Sequence, residues 1–570
     1  MQKWFVTMKK ADFEAIAKKY QISPMLARLI RNRDIIGDDN IANYLNGTEA
    51  DLHDGFLMKD MKRAIAILSN KIQEGKKIRV MGDYDIDGVN ASYILKEGLQ
   101  KLGACVDTDI PDRMKDGYGL SKLLIDRAIL DGVDTIITCD NGIAAYDEIE
   151  YGKQQKLTII VTDHHEIPYQ EYDGRKEYII PKADAVVNPH QIDCSYPFKG
   201  LCGAAVAYKV IESLYKEKGK SLEEIEYLIQ NVAIATIGDV MDLVGENRIF
   251  VKKGLRLLKT TENLGLKALM ECNQIDKNRL SSYHIGFIIG PCINASGRLD
   301  TAKRALELLE AKTTRDAVRI AEDLKVLNDN RKELTEKGVE QAVKLIETTS
   351  VGKDRVLVIY LPDCHESIAG IIAGRIKERY YKPTFVLTKA EHGVKGSGRS
   401  IEAYNMYEEM CKCKTIFTKF GGHKLAAGLS LEEENVESFR QKINELAQLT
   451  DEDLCPKVSI DMRLPFSFIS EEFIQELELL EPFGKGNSKP VFAEKNIRVR
   501  NPRIIGKNKN VLKFQAEDLN GNKIDAIYFG DVQKCMEYMQ SQEQLSVTYY
   551  PAVNEFQGNK TLQIIVENYL

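Results

Sequence analysis

The chain has 570 residues, of which 29 % are charged and 44 % hydrophobic, with 40 Gly and 15 Pro. That length divides into about three to five domains, and the balance excludes wholesale disorder, collagen-like character and low-complexity character. A net charge of −6 excludes a uniformly basic nucleic-acid coat but not a local basic groove.

The opening stretch MQKWFVTMKKADFEAIAKKY has no apolar signal core. No window approaches about 18 uninterrupted apolar residues, so a cytoplasmic protein with no membrane association is expected. The 11 cysteines include no CxxC pair. That argues against a disulfide framework or a structural zinc and fits a reducing compartment.

Residues 1–57 read as an N-terminal helical segment. From 58 to 301, apolar strand-like runs at 77–81, 134–138, 157–162 and 185–188 alternate with helical patterns. Alternation of this kind predicts a mainly parallel sheet under helices. Residues 302–350 contain no Pro and one glycine, Gly338, with apolar residues every three or four positions. They predict a connecting helix between two lobes. A second α/β domain is expected over 351–456. The segment 457–570 holds five or six strand-like runs, the pattern of a small barrel.

Chemistry concentrates at the ends of the predicted strands. The run IRVMG leads into Asp83, Asp85 and Asp87, then Gly88 and a helical pattern. Three carboxylates within five residues repel one another unless a cation joins them, and a hard divalent metal is the usual one. An EF-hand is excluded, because its twelfth position is Ile94 and a strand precedes the loop. The arrangement recurs at Cys139-Asp140-Asn141-Gly142 and at Asp163-His164-His165. A third apolar run ends with Asp239 and Asp242, which helical spacing would put on one face. Each motif alone also fits a turn or a surface pair. Together they supply five or more ligands, enough for two ions about 3.5–4 Å apart around a phosphoryl group.

In order, GDYDIDG, CDNG, DHH and IGDVMDL resemble the DHH phosphoesterase superfamily. IPDRMKDGYGL, VVNPHQ, LCGAAVAYK, INASGRLDTA, HESIAGIIAGR, GSGRS, FGGHKLAAG and EPFGKGNSKP narrow the resemblance. They are similar to the RecJ family, the bacterial single-strand-specific 5′→3′ DNA exonucleases. The resemblance implies an α/β protein with a DHH domain and a DHH-associated domain joined by a long helix, followed by a C-terminal OB-fold barrel. It implies Asp83, Asp85, Asp140, His164 and Asp239 as ligands of two divalent ions, Mn2+ or Mg2+, with Asp140 between them. Asp163, His165 and His423 would be catalytic, with His165 near the phosphate and Asp163 orienting a neighbour. Arg113, Tyr118, Arg298, Ser397 and Arg399 would bind DNA and its 5′-phosphate.

The implied activity is digestion of single-stranded DNA to 5′-mononucleotides in repair and recombination. A monomer working with single-strand-binding protein and a RecQ-type helicase is the family expectation. The alternative is a related phosphodiesterase acting on short oligonucleotides or cyclic dinucleotides. Many such relatives carry a His four residues before the first Asp, where this chain has Arg79, and they usually lack the barrel. A third reading, a silent scaffold, conflicts with the presence of all five implied ligands. Nine Lys or Arg lie between Phe483 and Lys513, opposed only by Glu494. With Phe483, Phe492 and Phe514 as stacking candidates, the barrel is expected to hold single strands.

Overall fold

The computed structural model describes residues 2–112, 119–172, 175–506, 508–556 and 558–570. Two compact units divide the described chain. One comprises 54–239 and 254–456; the other comprises 2–53, 240–253 and 457–570.

In the first unit, β-branched apolar runs form a parallel sheet. Its strands are β1 (Lys77–Gly82), β2 (Cys105–Asp109), β3 (Thr135–Cys139), β4 (Thr158–Thr162) and β5 (Ala185–Val187). The order is β2-β1-β3-β4-β5, all parallel. β3 is buried along its whole length, as a central strand covered on both faces must be. Helix α1 (Ile86–Lys101) follows β1 and packs against α2 (Gly203–Glu217) and α3 (Ile229–Gly238). Gly98 permits the close approach of α1, since a Cβ there would lie 2.5 Å from Ile211. In this strand order the chain reverses its direction of winding between β1 and β3. Open α/β sheets bind ligands at the strand C-termini beside that switch point.

The same unit continues through α4 (Gly290–Leu299) and the 35-residue α5 (Thr314–Thr348). α5 packs on α4 of the first lobe and on α6 (Ala369–Tyr380) of the second. The second lobe is a sheet of β6 (Leu357–Tyr360), β7 (Thr384–Lys389), β8 (Val394–Arg399), β9 (Lys419–His423) and β10 (Ala426–Leu431). Its order is β9-β10-β8-β7-β6, with only β6 and β7 parallel.

The second unit is built on a barrel. Strands β11 (Phe492–Ile505), β12 (Val511–Glu517) and β13 (Lys523–Tyr528) lead through α7 (Val532–Ser541) to β14 (Leu545–Phe556) and β15 (Asn559–Tyr569). β11 pairs with both β12 and β14, so the ring β11-β12-β13-β15-β14 closes on itself. That is the five-stranded OB arrangement.

The sequence reading sets residues 1–57 apart, whereas the structure folds 2–53 into this unit. Strand Lys3–Val6 pairs with Lys457–Ile460. Leu26, Leu29 and Ile30 join Leu477, Phe492 and Leu512 in one core. Arg248, only 2 % exposed, donates to the carbonyls of Tyr44, Leu479 and Leu480 at 2.9, 2.9 and 3.0 Å. Its guanidinium also lies 3.9 Å above the Tyr44 ring. Among the described residues, no helix is long and apolar enough to cross a membrane.

Candidate metal centre

The loops after β1, β3 and β4 bring the sequence motifs together at the switch point. Asp83, Asp85 and Asp140 each offer an oxygen, and these atoms lie within 4.8 Å of one another. Asp140, His164 and His165 form a second such group, and Asp87, His164 and Asp239 a third. His164 Nε2 is 3.0 Å from Asp140 Oδ1, 3.5 Å from Asp87 Oδ2 and 3.8 Å from Asp239 Oδ2.

Local structure explains the convergence. Asp140 has φ of +61°, a left-handed conformation that Asp tolerates better than most residues and that turns the chain at the end of β3. Helix α2 begins beside it, because at Gly203 a Cβ would come within 2.6 Å of Asp140 Cβ. Asp85 caps α1, accepting from Asp87 N at 2.9 Å and Gly88 N at 3.0 Å. α3 ends at Gly238 with Asp239 as its cap. The helix therefore does not carry Asp239 and Asp242 on one face as their spacing predicts. Val240 turns the chain at φ +57°, and Asp242 belongs to the second unit, 3.4 Å from Lys485.

Charge is unbalanced here. Burial holds the Asp140 carboxyl well above the ordinary carboxylate range, and Asp87, Asp85, Asp83 and Asp239 push it further. Asp140 Oδ1 is buried and receives no hydrogen bond among the described residues. Mixed carboxylate and imidazole donors suit manganese, iron or zinc, whereas magnesium prefers oxygen alone. The residues present thus fit a centre for divalent cations.

Two neighbouring residues serve the centre differently. Asp163, 1 % exposed, accepts from Ile143 N at 2.9 Å, His164 N at 2.7 Å and His165 N at 3.1 Å. Its Oδ1 also lies 2.7 Å from His165 Nδ1. Burial works to raise the Asp163 pKa, but His165 and these N–H groups outweigh it and hold the group low. Burial works to lower the pKa of His165; Asp163 outweighs it and pushes it up to about 9. A cavity of about 290 Å³ adjoins them, lined by Gly142, Ile143, Glu148 and Asp163 among others. Arg79 takes no part. It is bonded to Asp107 at 2.7 Å and to Asp131 at 2.8 Å.

A second cluster forms where the two lobes of this unit meet, at the N-terminus of α6. Arg298 Nη1 on α4 donates to Ser367 O at 2.8 Å. Arg399 Nη1 on β8 donates to Ser397 Oγ at 3.2 Å and Gly398 O at 2.8 Å. A Cβ at Gly370, in the first turn of α6, would lie 2.8 Å from both Arg399 Nη2 and Ser397 Oγ. Burial pulls the Arg399 pKa down, and no carboxylate is paired with it among the described residues. Two guanidinium groups, a hydroxyl and a helix N-terminus are groups that could hold an anion.

The other expected residues fall elsewhere. His423 is exposed on β9, its Nδ1 accepting from Leu425 N at 3.3 Å, and it is not among the groups around Asp140. Arg113 and Tyr118 lie outside the described residues. Phe492 and Phe514 are 0 % and 2 % exposed in the barrel core, so they are not stacking surfaces. Phe483 is half-buried against Tyr550. The basic face also has more opposition than Glu494, which is itself buried. Arg500 pairs with Glu517, Lys513 with Asp525 and Lys485 with Asp242.

Asp87, which the sequence groups with Asp83 and Asp85 as a cation-seeking carboxylate, has backbone partners across the chain. It is fully buried, and its two oxygens accept from Gly203 N at 2.6 Å and Ala204 N at 2.7 Å. It ties the acidic loop to the start of α2.

Comparison with known proteins adds to this geometry. A model of the DHH family N-terminal domain matches residues 77–236, one of the DHHA1 domain 353–449 and one of the RecJ OB domain 460–568. The single-stranded-DNA-specific exonuclease RecJ of Bacillus subtilis is 33 % identical over 97 % of this chain and 69 % of that protein. The protein of the same description from Escherichia coli is 32 % identical over 96 % of each. The chain belongs to the RecJ family. The crystal structure of RecJ from Thermus thermophilus in complex with Mn2+ superposes with a TM-score of 0.84 and 26 % identity, over all of this chain and 79 % of that one. The fold is thus that of RecJ, with DHH, DHHA1 and OB domains.

Proposed function

We propose that the chain is a metal-dependent, single-strand-specific DNA exonuclease that digests from the 5′ end and releases 5′-mononucleotides. One observation carries this reading. A cation-seeking acidic centre and an anion-seeking arginine cluster lie in one unit, joined through α4, which sends Asn294 to the acidic loop (Ile86 N to Asn294 Oδ1, 2.8 Å) and Arg298 to the anion site.

Asp83, Asp85, Asp140, His164 and Asp239 would hold two divalent ions, Mn2+ as in the Thermus protein or Mg2+, with Asp140 shared. Such ions supply positive charge for the phosphoryl transition state and make water acidic enough to attack near neutrality. Asp163 fixes the His165 ring, leaving Nε2 to donate to a phosphate oxygen. Arg298, Ser397 and Arg399 hold the terminal 5′-phosphate, which sets the polarity. His423 would approach the scissile phosphate from the second lobe, beside glycines that permit close backbone approach. The family resemblance also gives Arg113 and Tyr118 a role in binding DNA and its 5′-phosphate. The barrel supplies basic side chains for holding single strands.

Labour follows the domains at 58–301, 351–456 and 457–570, with 302–350 connecting the lobes. The family resemblance supports a cytoplasmic monomer that receives single strands from a RecQ-type helicase and meets single-strand-binding protein on them.

The test is a 5′-phosphorylated DNA strand of several tens of nucleotides labelled at its 3′ end, incubated with Mn2+, Mg2+ or EDTA beside a matching duplex and a dinucleotide. A descending ladder with metal only, absent on duplex, is expected. Cleavage of the dinucleotide alone would overturn the assignment.

A further inference from the structure

Residues 282–299 form one helical run, with a π-helical turn at Ile285–Ile289 leading into α4. Its inward face is buried: Ile285, Ile289 and Ile293 are at most 1 % exposed. The opposite stripe is Tyr283, Phe287, Pro291, Asn294 and Arg298, spaced four, four, three and four residues apart and so on one helix face. At its inner end, Asn294 meets the acidic loop and Arg298 the anion site. At its outer end two large rings stand in solvent. Tyr283 is 59 % and Phe287 68 % exposed, and they stack on each other at 4.9 Å and 26°. Lys277 and Arg279 lie in the turn just before them.

Stacked aromatic faces beside cationic side chains fit unpaired nucleobases with their phosphates. A π-turn in a helix is a frequent companion of function. Continuity with the site favours the substrate strand over a protein partner as the occupant. We propose that Tyr283 and Phe287 form a stacking platform for bases of the single strand some way in from its 5′ end. Eleven residues of helix separate Phe287 from Arg298, a rise of about 16 Å. That corresponds to about five nucleotides stacked at B-DNA spacing, and to fewer in an extended strand. The platform engages strands longer than that reach and misses shorter ones. This inference rests on the exonuclease reading above.

The full chain tests it. Tyr283→Ala/Phe287→Ala, the corresponding double leucine variant and the double tryptophan variant are compared with wild type. Each is given 5′-phosphorylated oligothymidylates of twenty and of two nucleotides with Mn2+, the shorter too short to reach the platform even when extended, after thermal unfolding verifies that each variant folds. The ratio of kcat/KM for the long strand over the short one is expected to fall roughly tenfold to a hundredfold in the alanine variant. It should fall as far with leucine and stay near wild type with tryptophan. A ratio within twofold of wild type in the alanine variant would overturn the platform. Full recovery by leucine would overturn it too, because greasy contact rather than stacking would then suffice. A wild-type chain that digests neither strand would instead overturn the exonuclease reading, and the platform with it.

Discussion

Asp140→Asn separates what the acidic centre costs the fold from what it gives the reaction. Burial and four neighbouring carboxylates hold the Asp140 carboxyl well above its ordinary range. The folded chain therefore binds this proton more readily than the unfolded chain does. With ions withheld, stability is fullest below the unfolded carboxyl pKa of about 3.9 and declines as pH rises above it. At pH 7 the decline is bounded by the cost of keeping a proton on such a group, about 4 kcal/mol at 1.36 kcal/mol per pH unit. The repulsion is large enough to reach that bound. For ligand atoms within 4.8 Å of one another, one charged pair is worth about 3.5 kcal/mol at an effective dielectric constant of 20. In EDTA at pH 7 the Asp140→Asn chain is expected to be about 2–4 kcal/mol more stable than wild type, with the gap closing near pH 4. Mn2+ should reverse the order, since binding at one hundred times Kd adds about 2.7 kcal/mol per site to wild type alone. Hydrolysis should be lost. Urea denaturation at pH 4, 5.5 and 7, with and without EDTA, checks this. A variant less stable than wild type at pH 7 in EDTA would refute the reasoning, because Asp140 would then be satisfied without a cation.

Gly203→Ala places a Cβ 2.6 Å from Asp140 Cβ; metal titration should show at least tenfold weaker binding, with a stability loss of about 1–3 kcal/mol from overpacking. Arg399→Lys removes a fork held by Ser397 and Gly398. The preference for 5′-phosphate over 5′-hydroxyl ends, read as a ratio of kcat/KM, should fall about tenfold or more. Arg248→Ala removes three bonds to backbone carbonyls and should cost about 3–5 kcal/mol in chemical denaturation. Replacing Lys495, Arg498 and Arg503 by Gln should lower the salt slope of single-strand binding by about 0.7 for each phosphate that is no longer neutralised.

The centre was legible because its residues come in short runs at strand ends, and parallel strands deliver their C-termini to one edge. The order β2-β1-β3-β4-β5 then sets the Asp83 and Asp140 loops side by side at the switch point. What periodicity leaves open is partnership across the chain. Asp87 meets Gly203 and Ala204 at separations of 116 and 117 residues, and no local pattern encodes that pairing. The N-terminal helices have an apolar face, but nothing local says that it meets the barrel. The errors over Phe492 and Phe514 differ in kind. β12 alternates, with Leu512, Phe514 and Ala516 buried and the residues between them partly exposed. Alternation marks Phe514 as inward-facing, whereas the basic composition of the segment does not separate inward from outward residues. For Asp239 and Asp242, helical spacing holds only up to the helix end, where Val240 at positive φ breaks it.

Asp83, Asp85 and Asp87 occupy alternate positions of one loop, yet their surroundings divide them. Asp87 lies within reach of His164, and its proximity alone would make it a ligand. Both its oxygens, however, are taken by short bonds from the first two N–H groups of α2. These bonds fill about half of the acceptor positions of the carboxylate and fix its orientation toward the helix N-terminus. Asp85 uses one oxygen for the cap of α1, and Asp140 Oδ1 is buried with no hydrogen bond among the described residues, though His164 Nε2 lies 3.0 Å from it. The fold thus anchors one acid on backbone N–H groups and crowds Asp140 with four carboxylates that hold it above its ordinary range. That crowding would give divalent ions their purchase, and the anchored Asp87 holds the start of α2 beside Asp140.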